Sequence, residues 1–188
     1  QDAVRMEYVK LFKGDKFDGR INNRDFIGPS SVTLQMKHIQ KLDEDSIVPN
    51  IRNKYTVTEK ADGSRKLMYI ANSGKIYLID TNMYVQYTGC NVKTAKDFAG
   101  TLLDGEHILH NKKGEFISLY AAFDIYYIKK ESVREKSFYP LEDDAIKTNF
   151  RLPLLIKLVS ELDMKTSVSE LPLRVEIGRA HVWTPVTQ

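Results

Sequence analysis

Three short stretches of the chain concentrate side chains able to do chemistry. The first, Lys60-Ala-Asp-Gly-Ser-Arg65, sets a cation on each side of an Asp62-Gly63 pair and is preceded by Glu59. The second is Asp104-Gly-Glu106, and the third is Phe123-Asp124 within YAAFDIYY. A lysine attacks a phosphorus centre only as the neutral amine, so its pKa of ~10.4 must fall by roughly 3 units, about 4 kcal/mol, to react near neutral pH. Burial beside another cation supplies that pressure; Arg65 or a bound divalent metal is the candidate neighbour. A solvated hairpin would account for Asp-Gly, a favoured turn pair, but not for the two cations around it. Asp62 shapes the reversal, and Gly63 keeps the backbone thin where a ligand must approach.

Strand parity sorts the other two stretches. Side chains two apart share a face, which puts Asp104 with Glu106 and leaves Leu103, Gly105 and His107 on the other side. Two carboxylates on one face of an otherwise apolar strand suit a cation or a sugar hydroxyl, with Asp104 and Glu106 as tentative metal ligands. Phe123 and Asp124 point to opposite faces of a regular strand. Phe123 is expected to line the pocket, and Asp124 either supports it from behind or reaches it through a bulge. Alone, Asp-Gly-Glu would read as a turn and Phe123 as core; their joint occurrence in this order carries the argument. His107 and His110, three apart, fall on opposite faces and make a poor metal pair.

The elements that must position these residues are strands first and a helix later. Apolar alternation predicts strands over Tyr55–Lys60, Arg65–Ala71, Lys75–Asp80 and Met83–Gly89, with a hairpin at Asn72–Lys75. NVKTAKDFAG reads as a short helix closed by Gly100. TLLDGEHILH and EFISLYAAFDIYYIK follow as strands joined by NKKG, the second apolar enough to be central. LPLLIKLVSEL has helical spacing, with Pro153 suited to its first turn, and LEDD at 141–144 reads as a helix start. Residues 1 to 50 are mixed, with a Gly28-Pro29 break and VTLQMKHIQKL as a strand running into a short helix. The result is an antiparallel-rich α+β domain.

Together, KADGSR, LLDGEHI and YAAFDIYY resemble, in order, motifs of the covalent nucleotidyltransferases: messenger-RNA capping guanylyltransferases, ATP-dependent DNA ligases and RNA ligases. The similarity covers roughly residues 56 to 127. The short interval between Glu106 and Phe123, and FIGPSSVTLQ ahead of Lys60, are most similar to the guanylyltransferase domain of giant-virus-type capping enzymes. The resemblance implies Lys60 as the nucleophile that forms a lysyl-GMP from GTP. It implies Glu59, Asp62, Gly63, Arg65, Glu106 and Phe123 around the nucleotide, Arg65 and Glu106 on the ribose and Phe123 stacked on the purine. A divalent cation (Mg2+ or Mn2+) would accompany GTP, and the acceptor would be an RNA 5′ diphosphate end. An ATP-dependent ligase adenylation domain and a non-catalytic nucleotide- or RNA-binding scaffold are the alternatives. A cytoplasmic protein is implied, in a viral factory or virion if viral.

Later family motifs are missing, namely a Glu-Gly stretch, a Lys-x-Lys pair and an oligonucleotide-binding-fold (OB-fold) domain. The chain therefore reads as a nucleotidyltransferase core truncated before that OB-fold domain, a fragment inactive alone. Residues 51–175 are the expected partial domain, and 1–50 a lead-in, possibly ending a preceding triphosphatase; a methyltransferase is implied downstream. EIGRAHVWTPVTQ, 176–188, resembles a translated sequencing adapter and is expected to be foreign. Composition adds bounds only. A net charge of +3 names no partner, one cysteine, Cys90, excludes an internal disulfide, and no apolar run reaches the ~20 residues of a membrane span.

Overall fold

Alternating apolar residues from Arg65 onward commit the middle of the chain to strands. The structure is a computed structural model and describes residues 1–41, 47–52, 55–56, 62–139, 149–167 and 171–178. Among these, eight strands form one sheet: β1 Ser64–Ile70, β2 Lys75–Ile79, β3 Val85–Val92, β4 Thr101–His110, β5 Phe116–Ile128, β6 Glu131–Ser132, β7 Met164–Thr166 and β8 Arg174–Ile177. Their spatial order is β6-β5-β4-β1-β2-β3-β7, with β8 alongside β5. The pairing of β8 with β5 is parallel; the pairings along the rest of the sheet are antiparallel. The helices are α1 Asp2–Lys13, α2 Ala95–Phe98 and α3 Arg151–Glu161.

The expected strands from Arg65 onward are present, and β5 is interior as its apolar run implied. β3 runs on to Val92, so the short helix before Gly100 shrinks to four residues. Gly100 ends it with φ of 76°, a conformation that side chains with a Cβ disfavour. In place of a strand before residue 36, only a single 3-10 turn forms, at Met36–His38. Tyr55 and Thr56 take no regular structure. The rest of the strand expected there, with Glu59 and Lys60, lies outside the described residues, as does the helix start expected at LEDD. β8 takes in Glu176 and Ile177, from the segment expected to be foreign, and the Gly178 N–H bonds the Ala122 carbonyl.

Both faces of the sheet are covered. Met68, Ile70, Leu103, Tyr120 and Ile125 pack with Leu152, Leu155 and Leu158 of α3. On the other face Leu67, Tyr69, Leu102, Tyr126 and Tyr127 pack with Tyr8 and Val9 of α1. Each such fully buried aliphatic side chain contributes roughly 1.5–3 kcal/mol.

α1 is absent from the sequence reading above. Its signal was present: Val4, Tyr8 and Leu11 recur at helical spacing, and Gly14 follows the last turn with φ of 89°. From α1 the lead-in is tied down residue by residue. The Tyr8 hydroxyl donates to the Asp25 carbonyl at 2.8 Å and accepts from the Ile27 N–H at 3.1 Å. Burial opposes the charge on Asp25. Hydrogen bonds from the Lys13 ammonium and the Asn22 N–H outweigh it and hold the carboxyl below its usual range. These contacts fix the segment that ends in Phe26–Pro29.

Candidate nucleotide site

β1 and β4 place the first two motifs side by side. In their register Arg65 pairs with Glu106 and Leu67 with Asp104, so the two carboxylates and the guanidinium share the α1 face, as parity required. Arg65 is fixed on several sides. Its Nε and Nη2 donate to Asp104 at 3.1 and 2.5 Å, and its Nη1 donates to the Pro29 carbonyl at 2.5 Å. Its Cζ lies 5.6 Å from the Phe26 ring centroid and 6.0 Å from that of Phe123. The hydrogen bonds to Asp104 raise its already high pKa and burial lowers it less, so the charge is permanent.

Asp104 has no solvent exposure. Its Oδ1 accepts from Arg65, and its Oδ2 accepts from both Arg65 and the Tyr126 hydroxyl, the latter at 2.6 Å. The tentative assignment of Asp104 to metal is therefore corrected: a buried carboxylate already matched to a guanidinium and a phenol anchors Arg65 instead. Glu106, opposite Arg65 in the register, is half-buried.

The third motif is presented by irregularity in β5. The pairing moves from Asp104↔Asp124 to Gly105↔Ala122, which leaves Phe123 as an extra residue in a bulge. That bulge brings Phe123 beside Arg65, half-buried. The contacts of Asp124 show neither a reach into the pocket nor a hold on Phe123; they tie it to α3. Its carboxylate takes a two-point contact from Arg151, at 2.8 and 3.2 Å, at the first residue of α3.

Two glycines have sharper reasons than a turn. Gly105 sits mid-strand, where a Cβ would lie 2.5 Å from the Ala121 carbonyl oxygen and 2.7 Å from the Tyr120 ring. The Tyr120 hydroxyl crosses that gap to the carbonyls of Lys66, at 2.8 Å, and Leu103, at 3.2 Å. At Gly63 a Cβ would come within 2.8 Å of the His107 carbonyl oxygen. Its missing side chain therefore admits β4, a nearer cause than the approach of a ligand. Asp62, exposed, precedes it at the entry to β1. His107 is on the opposite face, and burial followed by the charge of Lys66 pushes its pKa down.

The sequence marked Gly28 and Pro29 only as a break in the chain, and assigned no role at the site to Phe26, Gly28, Pro29 or Tyr126. Phe26 and Pro29 stand in FIGPSSVTLQ, where the apolar-Gly-Pro break was the available signal. Tyr126 was hidden by a second bulge: Leu103 pairs with Ile125 but Leu102 with Tyr127, so parity counted along β5 fails there. A cavity of about 510 Å3 is lined by Pro29, Val32, Leu34, Ile51 and Tyr55. A second, of about 640 Å3 between α3 and the β5 end, holds none of the motif residues.

Among the described residues no three His, Cys, Asp or Glu side chains cluster as a metal cage. Magnesium needs no such cage when substrate phosphates fill most of its shell; Glu106 is a described carboxylate of the chemistry such an ion would take. No helix among the described residues is long and apolar enough to cross a membrane.

A family model described as mRNA capping enzyme, catalytic domain, matches residues 3–168. A protein of Acanthamoeba polyphaga mimivirus described as a probable mRNA-capping enzyme is 32% identical over 108 residues, which are 57% of this chain and 9% of that protein. The chain thus spans a small part of that relative's length.

Proposed function

We infer the activity from one premise: the chain belongs to the family of mRNA capping enzyme catalytic domains. The protein that contains it is an RNA guanylyltransferase. One observation carries the reading. Arg65, Glu106 and Phe123, from three separate motifs, meet at one end of the sheet, on the chain that leaves Lys60 five residues before Arg65.

The reaction has two halves. The neutral Lys60 amine bonds to the α-phosphorus of GTP while the bridging P–O bond to the β-phosphate breaks, and pyrophosphate leaves. A terminal phosphate oxygen of an RNA 5′ diphosphate then bonds to the same phosphorus, the P–N bond breaks, and the lysine recovers its proton. Arg65 and Glu106 hold the ribose so that the α-phosphate meets the amine, and Phe123 supplies a flat surface for the guanine. A divalent cation bound with the nucleotide offsets triphosphate charge and helps pyrophosphate leave. The chemistry requires Lys60 as the neutral amine, the form that burial beside a cation favours. The packing of Tyr8 and Val9 of α1 into the core of the sheet supports reading the lead-in as part of this domain. An OB-fold domain, and triphosphatase and methyltransferase domains, belong to the rest of the polypeptide.

The test uses the protein with its reading frame extended past Val175, incubated with α-labelled GTP or ATP and a divalent metal. Acid-labile label from GTP, absent in Lys60→Ala, is the expected result. Label from ATP alone would make the protein a ligase, and label from neither would make it a scaffold.

A further inference from the structure

Arg65 is a long side chain with many rotamers, yet groups of the protein hold it from several sides. Three of its five donor hydrogens are engaged, all by groups of the protein. The groups that hold it come from two directions. Behind it, Asp104 is completely buried and itself held by the Tyr126 hydroxyl. Tyr126 reaches that position only because it is the extra residue of a β5 bulge, which turns it, with Tyr127, toward the α1 face. In front, the lead-in contributes the Pro29 carbonyl and the Phe26 ring. Between them Gly28 passes so close that a Cβ would stand 2.8 Å from Arg65 Nη2 and 2.6 Å from the Phe26 ring.

We propose that Tyr126, acting through Asp104, and the Phe26–Pro29 loop form a clamp that presets Arg65 for the ribose, so that the enzyme distinguishes nucleotides with an intact sugar from those without. Tyr126 and Gly28 are thus positioning residues, and the clamp rests on the guanylyltransferase reading above. The advantage is preorganisation: a guanidinium already ordered loses no further freedom when the sugar arrives. Burial and then the charge of Asp104 raise the pKa of Tyr126, which keeps its hydroxyl a donor.

The experiment measures guanylylation of Lys60 in the full-length protein with GTP and with 2′,3′-dideoxy-GTP, as KM and kcat separately. Removing one hydrogen bond to a charged group in Tyr126→Phe raises the KM for GTP by about tenfold. The KM for the dideoxy nucleotide and both kcat values stay within about twofold, so the preference for the intact ribose collapses. Gly28→Ala pushes the guanidinium from the other side and produces the same collapse. Neither effect adds to that of Arg65→Ala. The Gly28 variant decides the matter if Tyr126→Phe does not fold. A preserved ribose preference in a folded variant overturns the clamp, whatever happens to the overall rate. Absence of any adduct in the wild type would instead sink the guanylyltransferase reading, and the clamp with it.

Discussion

Two aspartates stand opposite each other in the register of β4 and β5, and each holds an arginine in a two-point contact. Asp124 and Arg151 are both partly exposed. Arg151 also donates to the carbonyls of Arg134 and Lys136, so that pair joins α3 and the preceding loop to the sheet. Asp104 is sealed from solvent, and its arginine lies between the rings of Phe26 and Phe123 and opposite Glu106 in the register of β1 and β4. Similar chemistry therefore does two jobs. Both guanidiniums meet a backbone carbonyl and an aromatic ring, Pro29 and Phe26 at Arg65, Lys136 and Phe138 at Arg151; the pairs differ in the burial of the carboxylate and in the neighbours of Arg65, which are Glu106 across the register and the bulged Phe123.

Substitution breaks the two pairs differently. Asp104→Ala leaves the Arg65 charge half-buried without its partner and should cost about 3–5 kcal/mol in urea unfolding, with lysyl-GMP formation lost as well. Asp124→Ala removes charged hydrogen bonds in a wetter setting; about 1–3 kcal/mol should be lost, while adduct formation per folded molecule stays at the wild-type level. A drop in adduct formation equal to that of Asp104→Ala would erase the distinction. Arg65→Lys keeps the charge and loses the planar fork. It should cut kcat/KM for adduct formation about tenfold, one hydrogen bond's worth, and move the melting temperature little.

The smallest effect concerns His107, a sequence neighbour of Glu106 on the other face of β4. Its folded pKa lies below the ordinary 6.5 because of burial and then Lys66. As pH falls below that value, the unfolded chain takes up a proton that the folded chain resists, and stability declines until the folded pKa is passed. Unfolding measured through this window should flatten in His107→Asn, with adduct formation showing no matching step.

How far the sequence revealed this arrangement depended on local regularity. Where β4 is regular, counting by two was enough to place Asp104 and Glu106 on one face; that Arg65 joins them follows from the register of β1 with β4, which the count does not supply. The count failed in β5, because bulges at Phe123 and Tyr126 each insert a residue that parity cannot anticipate. Asp104 looked like a ligand for metal, since a sequence shows a carboxylate but not the phenol and guanidinium that bury it. The role of the lead-in was equally hidden, for Pro29 meets Arg65 across 36 positions of chain. Gly105 reads as a turn residue until the ring of Tyr120 is seen to fill the space a Cβ would need.

The central claim is a covalent bond between one lysine and a nucleoside monophosphate. Peptide mapping by mass spectrometry, on the extended protein incubated with GTP and divalent metal and digested at a pH that preserves phosphoramides, tests it directly. The account predicts a GMP adduct on the peptide that contains Lys60, at that residue and no other. An adduct on a different residue, or an unmodified Lys60 in protein shown to be folded and to bind GTP, would contradict it.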